Sequence, residues 1–119
     1  MVNGPMFPTE HPNLDREVAL ARVGGDADLL KEIATLFLED YPKVLDDLRS
    51  AVARGDARSL ERTAHGLKGS VSTFGARAVM DAARTLETLG RAQKFEEVSQ
   101  VLVSLELALA ALRPELETL

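Results

Sequence analysis

The chain has 119 residues, of which 45% are hydrophobic and 28% charged, with a formal net charge of −5. This length predicts one domain with room for a buried core. The absence of cysteine excludes disulfides and thiolate metal sites, and the acidic balance argues against a nucleic-acid partner.

The chain begins with a proline-rich stretch that contains Pro5, Pro8 and Pro12. It predicts a flexible leader over residues 1–13, and we expect no role for the histidine within it, His11. Residues 14–119 form the predicted domain. Asp15 is placed as the N-cap of a short helix that runs to about residue 22 and is stopped by two glycines.

A long second helix follows, with Asp26 as its N-cap and the glycine at position 55 as its end. Its apolar residues recur at helical spacing over some seven turns. They are Leu29, Ile33, Leu36, Phe37, Val44, Leu45, Leu48 and Val52. Pro42 interrupts the stripe, which resumes on the same face, so we expect one kinked helix rather than two. Asp56 is predicted to cap the next helix.

Three further helices complete the predicted fold. The third spans about residues 57–73, the fourth about 76–89 with Gly90 closing it, and the fifth begins near Gln93. Pro114 is expected to end or bend the fifth helix. No strand pattern is present. The sequence therefore predicts an all-α protein, an antiparallel up-down four-helix bundle with a short additional N-terminal helix.

The fifth helix carries a second apolar set, Val103, Leu107 and Ala110, roughly opposite its core face. Either the short first helix covers these residues or they form a dimer contact. Cover by the first helix is the favoured interpretation, because that helix must bury something.

The third helix presents a histidine on its outer face. Residues Leu60, Ala64, Leu67, Val71 and Phe74 recur on the opposite side at i, i+4, i+7, i+11 and i+14. The segment His65-Gly66-Leu67-Lys68-Gly69-Ser70, followed by Gly75-Ala76, resembles the signature of histidine-containing phosphotransfer (HPt) domains. In that family an exposed histidine carries a phosphoryl group between aspartates of receiver domains.

The resemblance implies a role for each residue near the histidine. His65 is the expected phosphoacceptor, and Lys68, one turn along, is expected to assist electrostatically. Gly69 leaves the imidazole accessible. The partner is expected to dock on a rim formed by Arg58, Glu61, Arg62, Gly69 and Ser72. Between residues 49 and 84 the chain has seven basic and three acidic residues, a local charge of +4 that would attract an acidic partner pocket.

The resemblance also implies partners. We expect response-regulator receiver domains and a sensor or hybrid histidine kinase to exchange phosphate with this chain, as a phosphorelay intermediate. The chain itself is expected to bind no cofactor and no metal and to have no autonomous kinase activity. Mg²⁺ is expected in the partner receiver domain.

A soluble, cytoplasmic protein is the plain interpretation, because no membrane span or signal peptide is apparent. We expect a monomer, because a single chain already offers four long helices. Two alternatives stay open. The first is a helical adaptor that docks on a partner without phosphorylation. The second is a dimeric histidine phosphotransferase or a histidine-kinase dimerisation module, in which two chains form the bundle.

Overall fold

The computed structural model describes residues 13–119, which form five helices and contain no strand. The helices are α1 (Arg16–Arg22), α2 (Ala27–Arg54), α3 (Ala57–Ser72), α4 (Arg77–Arg91) and α5 (Phe95–Glu117). The prediction of an all-α protein is confirmed. The predicted leader and His11 lie outside the described residues, apart from Asn13, whose side-chain amide donates to Glu115 on α5 at 2.7 Å.

Three aspartates begin the first three helices, as predicted. Asp15, Asp26 and Asp56 each accept a hydrogen bond from the backbone N–H three residues on, which satisfies a donor that the helix itself leaves unpaired. Gly55 ends α2 in the left-handed conformation, with φ of 64°. The helix ends are therefore set by local side-chain and backbone chemistry.

Two predicted helix ends differ in the structure. The prediction that one helix continues through Pro42 is confirmed. Helix α5 likewise continues through Pro114 to Glu117, so Pro114 does not end it. Leu116 is buried beyond that proline, and its packing holds the last turn. Gly90 lies inside α4, where a Cβ would come within 3.2 Å of the Glu61 backbone nitrogen. Gly90 therefore allows close approach of α4 to α3 and does not close the helix.

The core lies between the four long helices. Each of α2 to α5 packs against the next in sequence, and α2 packs against α5. Phe74 is fully buried, and its ring meets that of Phe37 at 5.6 Å in an edge-on arrangement. Burial of a side chain of this size contributes about 1.5–3 kcal/mol. None of the described helices is long and apolar enough to cross a bilayer.

The short helix α1 does not cover the outer face of α5, so that prediction is wrong. It packs against α2, while Asp15 N–H donates to the Phe74 carbonyl at 3.0 Å and Arg22 donates to the Ser72 carbonyl. These bonds hold α1 at the turn between α3 and α4. The side chains of Val103 and Leu107 stay 54% and 67% exposed.

Candidate functional site

His65 projects from the outer face of α3. The helix buries Leu60, Ala64, Leu67 and Val71 on its inner face, which fixes the rotation of the helix about its axis. The imidazole on the opposite side is 67% exposed, so a partner can reach it directly. A side chain this exposed has no fixed orientation unless a neighbour holds it.

Glu87 on α4 is that neighbour. The residue is 8% exposed. Its Oε2 lies 2.8 Å from His65 Nδ1, and its Oε1 accepts a hydrogen bond from Lys68 Nζ at 2.7 Å. The hydrogen bond from Lys68 and, more weakly, that from His65 lower the pKa of Glu87 against the opposing effect of burial. An ionised carboxylate only accepts hydrogen bonds, so Nδ1 carries the proton and the lone pair is on Nε2.

Sequence reasoning missed Glu87 because its role depends on contacts between two helices. The available signal was its position on α4. It lies four residues after Ala83 and eight after Val79, both buried, so a carboxylate falls at a core-facing position. Buried carboxylates are rare unless they are paired with a cation. The position of Glu87 therefore predicts a cation on a neighbouring helix.

A second cation, Arg91, also escaped the sequence analysis. Its Nε donates to Glu61 Oε2 at 2.9 Å, and its Nη2 donates to Glu87 Oε2 at 3.4 Å. Lys68 is only 27% exposed and is tied to Glu87, so its ammonium is held beside the imidazole. The site thus includes two α4 residues as well as the predicted α3 residues.

The predicted docking residues occupy different environments. Arg58, Arg62 and Gly69 are exposed, and a Cβ on Gly69 would meet no atom within 4 Å. Glu61 is half-buried and paired with Arg91. Ser72 is also half-buried, and its hydroxyl donates to the Gly69 carbonyl at 2.7 Å, which leaves it engaged within its own helix.

Two concave surfaces flank the histidine. A cleft of about 380 Å³ on its N-terminal side is lined by Arg58, Glu61, Arg62, His65 and Glu87. A groove of about 500 Å³ runs between α2 and α3, and its lining includes the apolar Ile33, Phe37 and Tyr41. Leu36, which is 60% exposed, also lines this groove. The site is therefore an exposed nucleophile between a charged cleft and an apolar groove.

This arrangement suits a group-transfer reaction in which a partner supplies the rest of the active site. A neutral imidazole nitrogen is a nucleophile that forms covalent intermediates. Within residues 13–119 no three His, Asp or Glu side chains cluster as a metal site would require. The described residues provide the nucleophile, a carboxylate that holds it and several cations.

Comparisons with known proteins agree with this geometry. A family model described as "Hpt domain" matches residues 32–115. The structure resembles that of histidine-containing phosphotransfer protein B (HptB) from Pseudomonas aeruginosa PAO1, with a TM-score of 0.83, 26% identity and coverage of 90% of this chain and 93% of that one.

A second solved structure has the same fold. It is the HPT domain of an Hpt sensor hybrid histidine kinase from Shewanella, with a TM-score of 0.80, 16% identity and coverage of 92% of this chain and 94% of that one. A sequence search of curated proteins finds no match.

Proposed function

Because the chain belongs to the Hpt domain family, we propose that it is a phosphorelay intermediate that carries a phosphoryl group on His65 Nε2. The observation that carries the proposal is the hydrogen bond of 2.8 Å between His65 Nδ1 and Glu87. It leaves Nε2 unprotonated and pointing away from the carboxylate. An exposed histidine held in this way is prepared to attack phosphorus on a partner protein.

The proposed transfer is an in-line displacement. Nε2 of neutral His65 attacks the phosphorus of a receiver's phospho-aspartate, the P–Nε2 bond forms, and the bond from phosphorus to the aspartate oxygen breaks. The receiver's carboxylate leaves with the electron pair. The imidazole keeps its Nδ1 proton and gains a positive charge, which the Glu87 carboxylate stabilises as it forms. The reverse sequence delivers the phosphoryl group to a second receiver.

Lys68 has two roles in this proposal. Its ammonium holds the Glu87 carboxylate in place at 2.7 Å and keeps it ionised. It also adds positive charge on the C-terminal side of His65, which favours the approach of a phosphorylated partner. Lys68 therefore supports the nucleophile without contacting the reacting nitrogen.

We infer that the partners are receiver domains of response regulators and a sensor or hybrid histidine kinase. They dock over Arg58, Glu61, Arg62, Gly69 and Ser72, and the apolar groove between α2 and α3 extends this surface. The Mg²⁺ that transfer requires is assigned to the receiver, and this chain binds no cofactor itself.

We also propose a cellular location, an oligomeric state and a domain boundary for the chain. The chain acts in the cytoplasm as a monomer, with residues 14–119 as the functional domain. Short connections and the packing of each long helix on the next support an antiparallel up-down arrangement of α2 to α5.

Transfer from a phosphorylated receiver tests the proposed function. Purified protein is mixed with phosphorylated receiver domains, and the adduct is followed by intact mass for the wild type and for His65→Gln. We expect an acid-labile, alkali-stable adduct on the wild type alone. If no receiver in a broad panel transfers phosphate, the proposal fails and a non-phosphorylated adaptor becomes the better interpretation.

A further inference from the structure

Two arginines beside His65 have no acidic partner in the part of the chain that the structure describes. Arg58 and Arg62 are both exposed. Within residues 13–119, no carboxylate oxygen lies within 4.0 Å of either guanidinium, although seven arginine–carboxylate ion pairs form elsewhere. Two unpaired guanidinium groups side by side on one helix repel each other, so an anion between them would be stabilised.

The same two arginines line the cleft on the N-terminal side of His65. Its volume is about 380 Å³, which is ample for a phosphoryl group. Side chains on a helix lean toward its N-terminus, so the imidazole extends over the turn that contains Glu61 and Arg62. His65 itself lines this cleft together with Glu61 and Glu87. Because Nδ1 is turned to Glu87, Nε2 lies on the side of the ring opposite that carboxylate.

The other cations near His65 are already engaged. Lys68 and Arg91 both contact Glu87, and Arg91 also binds Glu61. These four groups neutralise one another in charge, while Asp40 of α2 lines the groove beside Arg62 without forming an ion pair with it. The uncompensated charge in the cleft that His65 lines is therefore that of Arg58 and Arg62, two positive charges that match a phosphoryl dianion.

We propose that Arg58 and Arg62 form a binding subsite for the phosphoryl group on His65 Nε2. This inference rests on the proposed function and goes beyond a docking role for the two arginines. The guanidinium groups donate hydrogen bonds to the phosphoryl oxygens and hold the group in its dianionic form between transfers. Lys68 acts on the carboxylate behind the imidazole, while the arginines act on the phosphoryl group itself.

Phosphorus NMR on protein loaded with a small donor tests the subsite without a partner. Potassium phosphoramidate transfers its phosphoryl group to His65 as its P–N bond breaks, a new P–Nε2 bond forms and ammonia leaves. The pH titration of the ³¹P signal is then compared for wild type, Arg58→Gln, Arg62→Gln and the double variant. Arg16→Gln is the matched control, because this exposed arginine on α1 removes the same charge outside the cleft.

Removal of the arginines is expected to raise the pKa of the phosphoryl group, because nearby cations favour its dianion. We expect a rise on the order of half a unit for each single variant and about one unit for the double variant, with Arg16→Gln unchanged. Titrations identical to that of the wild type would overturn the subsite, even if the variants slowed transfer between proteins. That result would leave the arginines as docking residues only.

The experiment separates this inference from the proposed function. A wild-type protein that transfers phosphate with a receiver, but whose arginine variants titrate normally, retains its function and loses the subsite. A wild-type protein that acquires no phosphoryl group on His65 from either donor overturns both. Unchanged urea unfolding of the variants confirms that a shifted titration reflects the cleft and not a change in the fold.

Discussion

At the scale of single residues, Glu87 determines which form of His65 meets a partner. Its carboxylate fixes the proton on Nδ1, and in the proposed reaction it would face the positive charge that the ring gains on phosphorylation of Nε2. Lys68 keeps the carboxylate ionised from the other side. The reactive unit is therefore a hydrogen-bonded chain of three side chains from two helices.

Replacement of Glu87 by glutamine tests this unit. The amide oxygen can still accept from Nδ1, but it carries no negative charge, so the phosphorylated ring loses stabilisation. A hydrogen bond to a charged group contributes roughly 1.5–3 kcal/mol and a neutral one roughly 0.5–1.5 kcal/mol. The difference of roughly 1–1.5 kcal/mol predicts that phosphorylation slows on the order of tenfold. Single-turnover transfer from a phosphorylated receiver measures the rate. Glu39→Gln, an exposed α2 residue, is the control, and equal rates for all three proteins would contradict the role of Glu87.

The lowered pKa of Glu87 also predicts a dependence of stability on pH. In the folded chain the pKa of the Glu87 carboxyl is below its ordinary value of about 4.5. The ionised form therefore stabilises the fold at pH values above 4.5. The contribution is lost as the pH falls through the lower, folded value. Urea unfolding of the wild type and Glu87→Gln should therefore differ most near neutral pH, and the difference should shrink below about pH 4.5. A constant difference across this range would be inconsistent with the shift.

Gly69 tests whether the partner needs clear space beside the imidazole. A Cβ at this exposed position meets nothing within 4 Å. We therefore expect the helix to accept a leucine here, with a gain in helix propensity on the order of 0.5–1 kcal/mol. We expect Gly69→Leu to slow transfer from a receiver while the free energy of unfolding stays equal or rises. Gly69→Ala is the graded control and should transfer at close to the normal rate. Normal transfer by the leucine variant would show that the space is not used.

At the scale of elements, the sequence determines the helices better than it determines their contacts. The three aspartate caps and the apolar stripes are local features, and they predict the boundaries to within about two residues. Gly90 and Pro114 both favour the end of a helix locally, but tertiary packing overrides that preference. Gly90 lies against α3, and Pro114 precedes the buried Leu116. Local signals cannot report such packing.

The candidate site likewise contains residues that local sequence predicts and residues that it does not. His65, Lys68 and Gly69 lie within two turns of one helix, so their spacing alone places them on one surface. Glu87 lies 22 residues from His65 on α4, and only the register between α3 and α4 brings the two together. Arg91 was missed for the same reason. The α3 residues could be predicted, whereas the α4 residues that orient the histidine could not.

The attachment of α1 depends on Gly75 in the turn between α3 and α4. Gly75 has φ of 59°, and a Cβ there would lie 2.8 Å from the Asp15 side chain. We expect Gly75→Ala to cost about 2–4 kcal/mol, from backbone strain together with the displacement of α1. Gly25→Ala isolates the backbone strain, because Gly25 also has positive φ but a Cβ there would meet no atom within 4 Å. We expect Gly25→Ala to cost about 1 kcal/mol. Equal losses in urea unfolding would show that the contact with α1 is unimportant.

At the scale of the whole molecule, charge is distributed unevenly along an acidic chain. The net charge is −5, yet residues 49–84, which include all of α3 and half of α4, carry an excess of four positive charges. The two arginines of the cleft belong to this segment. The proposed partner, a receiver domain with an acidic phosphoacceptor pocket, would therefore be attracted to the histidine face and repelled by the rest of the acidic surface.

The exposed stripe on α5 bears on the oligomeric state. Val103, Leu107 and Ala110 expose only parts of three small or medium side chains, whereas a stable interface buries roughly 800 Å² on each partner. We therefore expect sedimentation equilibrium to give the monomer mass of 12.9 kDa at all concentrations tested. Leu107→Gln should leave both that mass and the unfolding free energy nearly unchanged, within about 0.5 kcal/mol. A concentration-dependent dimer that Leu107→Gln abolishes would instead identify the stripe as a self-association surface.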